Sequence, residues 1–227
     1  MNRDVFLKRV RTAAAAGRSY RVTTNDRVER AAGYVGGGPD PIARFAEQAT
    51  AAGGQVDVVD DPAAGVARLL QICAQHSARE CIAWDHPLVD RWSVRAALAE
   101  RGISVASAGV LPGEDAATRR RRLLSADVGV TSVGFAAAET GSLAMIDDGG
   151  CDTVASLLPP VHVALVSHEQ VVADLFDLFD ALESRKSADW PSSVVFITGP
   201  SKTGDVELKL TTGVHGPKHW HVIVSRS

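Results

Sequence analysis

Gln55-Val-Asp-Val-Val-Asp60, Glu80-Cys-Ile-Ala-Trp-Asp85, Ile103-Ser-Val-Ala-Ser107 and Asp127-Val-Gly-Val-Thr-Ser132 are short apolar runs, each preceded by a stretch of helical periodicity. The spacing predicts helices over 41–52, 63–75, 88–100 and 116–124, with a strand after each. A strand reached through a helix returns parallel to the one before it, because the crossover is too long for a hairpin. The units therefore imply an α/β protein with a mostly parallel sheet flanked by helices.

Downstream the rhythm changes. Leu143-Ala-Met-Ile146 reads as a strand, and too little chain separates it from Ser132 for a helix, so a hairpin-like or irregular connection is expected. Asp147-Asp-Gly-Gly150 reads as a turn. Val161-His-Val-Ala-Leu-Val-Ser167 is a further strand, 171–182 an amphipathic helix, Val194-Val-Phe-Ile197 a buried strand, and 219–224 a last strand. Upstream, 2–16 read as an amphipathic helix stopped at Gly17, and 18–38 as a polar, then glycine-rich connection. The expected organisation is an N-terminal helical arm and linker over 1–38 and a single α/β domain over 39–227. The arm either packs on its own domain or serves as a contact in a homo-oligomer.

Size and composition narrow the function classes. The chain has 227 residues, 45% apolar and 22% charged, as in ordinary globular proteins. A net charge of −3 supplies no long-range attraction to nucleic acid. Nothing reaches the roughly 18 consecutive apolar residues of a membrane span. The N-terminus is charged and lacks the apolar core of a secretory signal, so a cytoplasmic location is expected. The 3 cysteines, Cys73, Cys81 and Cys151, are scattered and form no Cys-x-x-Cys pair. Neither an iron–sulfur cluster nor a structural zinc is expected on this chain alone.

The chemistry-bearing residues gather late in the sequence. The strand ending at Ile197 breaks into Thr198-Gly-Pro-Ser-Lys-Thr-Gly-Asp205. Gly199 and Gly204 permit close backbone approach, Ser201 and Thr203 supply hydroxyl donors, Lys202 a cation, and Asp205 a carboxylate that binds a hydroxyl or orients Lys202. That set is a candidate cradle for a small anionic ligand; the bland alternative is a turn whose polar groups cap one another. The spacing is not that of a Walker A loop, because a strand-like segment follows where a helix should open, and no dinucleotide-binding turn is present. Glu139-Thr140-Gly141-Ser142 lies between apolar segments, where a carboxylate either lines a site, as base or nucleophile, or holds the turn through loop N–H groups. His215, in Gly213-Val-His-Gly-Pro217, is an acid/base or carboxylate-binding candidate. His215, His219 and His221 have a spacing suggestive of zinc, but the latter two flank Trp220 in a strand with no carboxylate or cysteine to complete a set, so no metal is expected. His162, inside an apolar strand, reads as a core histidine, and Arg119-Arg-Arg-Arg122 as a solvated helix face.

Phe135-Ala-Ala-Ala-Glu-Thr-Gly-Ser-Leu-Ala-Met145, Leu158-Pro-Pro-Val-His-Val163, Thr198-Gly-Pro-Ser-Lys-Thr-Gly-Asp-Val-Glu207 and Gly213-Val-His-Gly-Pro217 together resemble the lactate utilization protein C family, whose domain is called LUD. The motifs stand in the family's order. The resemblance implies a fold similar to ribose-5-phosphate isomerase, glucosamine-6-phosphate deaminase and the CoA transferases, which bind anions at the C-terminal ends of parallel strands. It further implies a role in oxidising L-lactate to pyruvate beside partner proteins that carry iron–sulfur clusters, with this chain as the cluster-free member. The alternative is a stand-alone isomerase- or CoA-transferase-like enzyme acting on a phosphorylated or CoA-linked substrate, because function is set by the site and not by the fold.

Overall fold

The computed structural model describes residues 2–17, 36–147, 153–184, 191, 193–204 and 210–227. Two compact units divide between Tyr34 and Val35. In the first, helix α1 (Arg3–Gly17) exposes Val5, Phe6 and Val10. Everything below belongs to the second.

Several of its helices begin where an aspartate caps free backbone N–H groups. Asp40 accepts from the Ala43 amide at 3.0 Å and Pro41 opens α2 (Pro41–Ala51). Asp61 accepts from Ala64 at 2.8 Å and Pro62 opens α3 (Pro62–Gln75). Each pairs an N-cap acceptor with a proline whose missing N–H costs nothing at a first helical position. Asp115 caps α6 (Ala116–Leu124) in the same way, through Thr118 at 2.7 Å. The single helix expected over 88–100 is two, α4 (Pro87–Arg91) and α5 (Val94–Glu100). Ser93 between them adopts φ 54°, a left-handed conformation that breaks the hydrogen-bond ladder.

The main sheet has six strands, all paired in parallel: β1 (Gln55–Val59), β2 (Glu80–Ala83), β3 (Ser104–Ser107), β4 (Val128–Thr131), β7 (Val161–Ser167) and β12 (His219–Ser225). Their order is β1-β12-β7-β4-β2-β3. The central strands β4 and β7 are buried at every position, whereas the edge strands β1 and β3 are only half-buried. A parallel sheet covered on both faces has this pattern.

Between β4 and β12 the chain builds a second, mixed sheet that the sequence pattern had not separated from the first. It comprises β5 (Phe135–Ala137), β6 (Ser142–Asp147), β8 (Val171–Val172) and β9 (Ser193–Ile197) in the order β8-β5-β6-β9. The expected hairpin is β5–β6, antiparallel. Its two faces have different partners. Leu143, Met145, Val195 and Ile197 join the main core, while Ala144 and Ile146 pack with Leu178 and Leu182 of α8 (Leu175–Glu183). Period-2 alternation thus lets one strand serve two hydrophobic layers. The helix expected over 171–182 begins only at Leu175: Val171 and Val172 pair with Ala136 and Ala137 as β8, and Asp174 caps the helix through the Asp177 amide at 2.8 Å. The short helix α7 (Val154–Leu157) precedes β7.

One row across the main sheet positions the site. Trp220 of β12 and His162 of β7 are register partners, and His162 is in turn aligned with Gly129 of β4. Gly54, just before β1, completes the row: a Cβ there would lie 2.5 Å from the Trp220 ring. At Gly129 a Cβ would lie 1.8 Å from the Ala155 carbonyl oxygen of α7. Two large rings are therefore seated between two glycines, and α7 closes directly onto the backbone of β4.

Candidate functional site

The site begins at the C-terminal turn of α2. Gly141, at φ 65°, sits where a Cβ would come within 2.2 Å of the Ala49 amide nitrogen. Gly199, at φ 94°, sits where a Cβ would meet the Ala52 carbonyl oxygen at 2.6 Å. Both glycines are needed twice over, for a left-handed backbone and for contact with helix backbone. The turn at Glu139–Ser142 and the turn after β9 are thus held against the same helix end. Hydroxyl groups join them: Thr140 Oγ1 donates to Ser142 Oγ at 2.9 Å, and Ser142 Oγ lies 2.6 Å from Thr198 Oγ1.

The candidate residues separate into groups at this point. Lys202 does not face the cleft described below. Its Nζ donates to the Ala52 carbonyl at 2.6 Å, where the free carbonyls of α2 gather partial negative charge. Lys202 and Thr203 belong to a strand, β10 (Lys202–Gly204), paired with β11 (Leu210–Thr212), and not to an open turn. Glu139 is half-buried in the β5–β6 turn, with its backbone N–H on the Ala173 carbonyl at 3.0 Å. Asp205 lies outside the described residues, as do Cys151 and the 148–150 part of the expected turn.

Ser201, Gly199 and His215 come together. They line a cleft of about 200 Å3 with Thr198, Pro200, Gly216 and Pro217. The Ser201 amide donates to the Pro217 carbonyl at 3.0 Å, and the Gly213 amide donates to the Ser201 carbonyl at 3.0 Å, so the two motif loops are laced by backbone hydrogen bonds. A Cβ on Gly216 would lie only 3.3 Å from the Ser201 Cβ. Val195, Ile197, Phe196 and Leu157 form apolar walls, Ser156 contributes a hydroxyl, and His162 and Trp220 close the floor. Among the described residues the lining contains no Lys, Arg, Asp or Glu.

Two polar atoms of the floor are unsatisfied. His162 is fully buried; its Nε2 lies 2.9 Å from Thr131 Oγ1, and its Nδ1 has no partner. Trp220 is buried to 2% exposure and its Nε1–H has no acceptor. Burial, reinforced by nearby His221, pushes His162 down to about 3, so the ring is neutral at ordinary pH. Sequence reading took His162 for a core histidine and passed over Trp220, Thr198 and Ser156. The available signal was a lone polar residue in an otherwise apolar strand.

The resemblance places anion binding at the C-terminal ends of the parallel strands; this cleft lies at the other end, since His162 and Trp220 are second residues of β7 and β12. Two hydrogen-bonded polar clusters lie at the C-terminal ends. Asp85 accepts from Arg95 at 2.5 Å and from the Ser107 hydroxyl, while Gln170 bonds the Ser167 amide, Ser132 and the Val133 carbonyl.

On the opposite face of β12, His221 is fully buried with both ring nitrogens unpartnered, and His76 lies tilted against His219 and edge-on to His221, at centroid distances of 4.7 and 5.5 Å. Burial, then His76, pushes His221 down to about 4. Among the described residues no group of three or more His, Cys, Asp or Glu is placed to hold a metal ion. Burial drives the Cys73 thiol up to about 11 and raises that of Cys81, which suits inert core thiols. No helix among the described residues is long and apolar enough to cross a membrane.

Comparison with known proteins agrees with this architecture. A solved structure of a DUF162 family protein from Deinococcus radiodurans superimposes with a TM-score of 0.57 over 82% of this chain and 96% of that one, at 19% identity, which establishes the shared fold. Lactate utilization protein C of Halalkalibacterium halodurans is 28% identical over 148 residues, 64% of this chain and 62% of that protein. The protein of the same name from Bacillus subtilis is 32% identical over 103 residues, 44% of this chain and 43% of it. A lactate utilization protein B, from Shouchella clausii, matches at 31% over 109 residues, 46% of this chain but 21% of that protein. The match to the first of these relatives thus spans less than two thirds of its length. The LUD domain family model matches residues 42–225, which hold both sheets and every residue of the cleft, and the chain belongs to that family.

Proposed function

We propose that this chain serves lactate utilization as a cluster-free subunit, binding a small anionic ligand in the cleft under Ser201 and His215 while partner proteins carry the iron–sulfur clusters that take electrons from L-lactate. The observation that carries this reading is the position of the cleft. It is built from the loops after β9 and before β12, inside the segment that matches the LUD family, and relatives of that segment are named for lactate utilization. In this reading His215, exposed at the rim, is the acid/base or carboxylate-binding group, and Ser201 and Thr198 supply hydroxyl donors. Thr140 and Ser142 extend the hydroxyl chain from Thr198 into the turn that also carries Glu139. Gly141 and Gly199 shape it, and Lys202 and Thr203 stabilise it from behind. The buried thiols fit a division of labour in which redox centres lie on the partners. The alternative of a phosphorylated or CoA-linked substrate lacks a cationic group among the described lining residues, and phosphate recognition relies on such groups.

A thermal-shift panel tests the reading. At a concentration near 100 times Kd, L-lactate or pyruvate stabilises by about 2.7 kcal/mol, a rise in Tm on the order of 5–10 °C for a chain of this size. A selective shift by a phosphosugar or a CoA thioester, with none from the carboxylates, would overturn it.

A further inference from the structure

We infer that the face formed by α6, α7 and α8 is a self-association surface, on which a second copy of this chain sits antiparallel across a two-fold axis. The basic end of an apolar strip on one copy meets the acidic end of the same strip on the other. This surface does not depend on which ligand the cleft takes.

The strip starts in a groove of about 580 Å3 beside α6. Val110, Leu124 and Leu158 line it and are 62%, 59% and 44% exposed. Leu157, the chain neighbour of Leu158, is also exposed and shares the lining of the ligand cleft with Phe196. The Phe196 ring lies 6.1 Å from that of Phe179 on α8, and Phe176 stands one turn earlier on the same helix. All three phenylalanines are exposed. Exposed apolar residues scattered singly are ordinary, whereas a contiguous run of them marks an interaction site.

The helix α8 shows the same need for cover. Leu178 and Leu182 bury its inner face with Ala144 and Ile146, yet its outer face carries Phe176 and Phe179. A helix that is apolar on both faces is ordinarily covered on both.

The two ends of the strip carry opposite charge. In the groove both carboxylates are already engaged. Glu114 accepts from Arg122 at 2.7 Å through each oxygen, and Asp115 accepts from the Thr118 amide at 2.7 Å. Arg119 and Arg120 also line the groove, and neither forms an ion pair among the described residues. The groove is therefore apolar with a residual positive charge. At the other end, Asp180 and Glu183 are exposed on α8, each one helical turn beyond Phe176 and Phe179 respectively, and so share their face. Neither forms an ion pair among the described residues.

An antiparallel two-fold sets each groove against the α8 of the other copy. Opposite charges then meet twice, and the middle of the strip at Leu157, Leu158 and Phe196 packs on itself. A closed isologous contact requires one surface that complements itself in this way. Charge complementarity across it orients the encounter and disfavours other registers. An acidic helix with outward phenylalanines fits the groove better than a small molecule does, because small-molecule sites bury most of their ligand and this one stands open at Val110 and Leu124.

The test is sedimentation velocity and light scattering on the full-length chain across the micromolar range. The expected species is a reversible dimer with twice the 23.9 kDa mass of the chain. Arg120→Glu and Asp180→Lys change exposed residues, and each variant alone faces like charges twice, so its dimer weakens by about tenfold or more. Mixing the two variants restores association, because every contact in the mixed dimer again joins opposite charges. Leu124→Ser weakens the dimer without a charge change. Circular dichroism checks that each variant is folded, and recovery in the mixture separates a broken contact from a broken fold. A chain that stays monomeric leaves the strip to a different protein and overturns the inference. So does a dimer indifferent to all three changes, or two weakened variants that fail to recover when mixed. Assemblies that grow past two copies with concentration would show the ends meeting head to tail without closure, and overturn the two-fold arrangement.

Discussion

Acidification from about pH 6 to about pH 5 is expected to destabilise the fold steeply, well above the range in which most carboxylates titrate. The cause is the pair of buried histidines on opposite faces of the main sheet. Burial holds His162 near 3 and His221 near 4, against the ordinary value of 6.5. His221 faces His76, Arg68, His219 and Asp57, and of these only Asp57 favours the charged ring. The unfolded chain binds a proton at each position below about pH 6.5, whereas the folded chain refuses it until near the depressed value. Stability that is complete above 6.5 is therefore lost as pH falls. Each depressed histidine contributes a slope approaching 1.4 kcal/mol per pH unit, so the two together remove about 2.5 kcal/mol between pH 6 and 5. That is a large part of a typical net stability of about 5–15 kcal/mol. His76, also lowered, adds in the same direction. Asp40, Glu114 and Asp115 are held below their ordinary values by hydrogen bonds, and their contributions are lost only at lower pH, so they do not mask the effect. The assay is urea unfolding at pH 7, 6 and 5, with His221→Leu as the reference. Leucine removes a titrating group and two unpartnered nitrogens, and the slope between pH 6 and 5 is expected to fall by roughly half. The same slope in wild type and His221→Leu, or flat stability over the interval in the wild type, would refute the reasoning.

Other outcomes follow from the contacts around α2. Gly141→Ala imposes a left-handed backbone on a residue with a Cβ, costing about 1–2 kcal/mol, and drives that Cβ to 2.2 Å from the Ala49 amide. Its urea midpoint should fall by more than the backbone term alone, and an unchanged midpoint would contradict the close approach. Lys202→Met keeps the aliphatic stem and deletes the cation at the end of α2. The expected loss is about 0.3–1 kcal/mol, diminishing in high salt, with ligand shifts in the thermal panel retained. Loss of ligand binding without loss of stability would return Lys202 to the site. Gly129→Ala places a Cβ 1.8 Å from the Ala155 carbonyl and should displace α7, read as loss of protection in amide exchange over residues 153–158.

Much of the fold was legible because the units over 41–132 repeat a clear alternation of helical and strand periodicity. The aspartate caps at Asp40 and Asp61, which the sequence reading did not use, stand just before two of these helices. The second sheet was harder to read for a physical reason. β8 has 2 residues and β5 has 3, too few to establish a period of two. Val171-Val172 also sits next to a true amphipathic helix, so its apolar character was absorbed into that helix. The break at Ser93 depends on a left-handed residue that is neither Gly nor Asn, and nothing local announces it. Ser201 and His215, which line the cleft, were singled out because glycine- and proline-rich loops after buried strands concentrate polar groups. Lys202 was assigned to the ligand because its partner, Ala52, is 150 residues away and offers only a backbone carbonyl. His162 carried a visible anomaly, a histidine in an apolar strand, but its unpartnered nitrogen emerges only once β4, β7 and β12 lie side by side.

The measurement that tests the central claim most directly is lactate-dependent dye reduction by material captured with the tagged chain from its native cells grown on L-lactate. The account expects activity to co-purify with the wild-type chain and to fall when Ser201 and His215 are changed to Ala, with the captured partners unchanged. Capture of partners with activity indifferent to both changes, or lactate oxidation by the purified chain alone without partners, would contradict it.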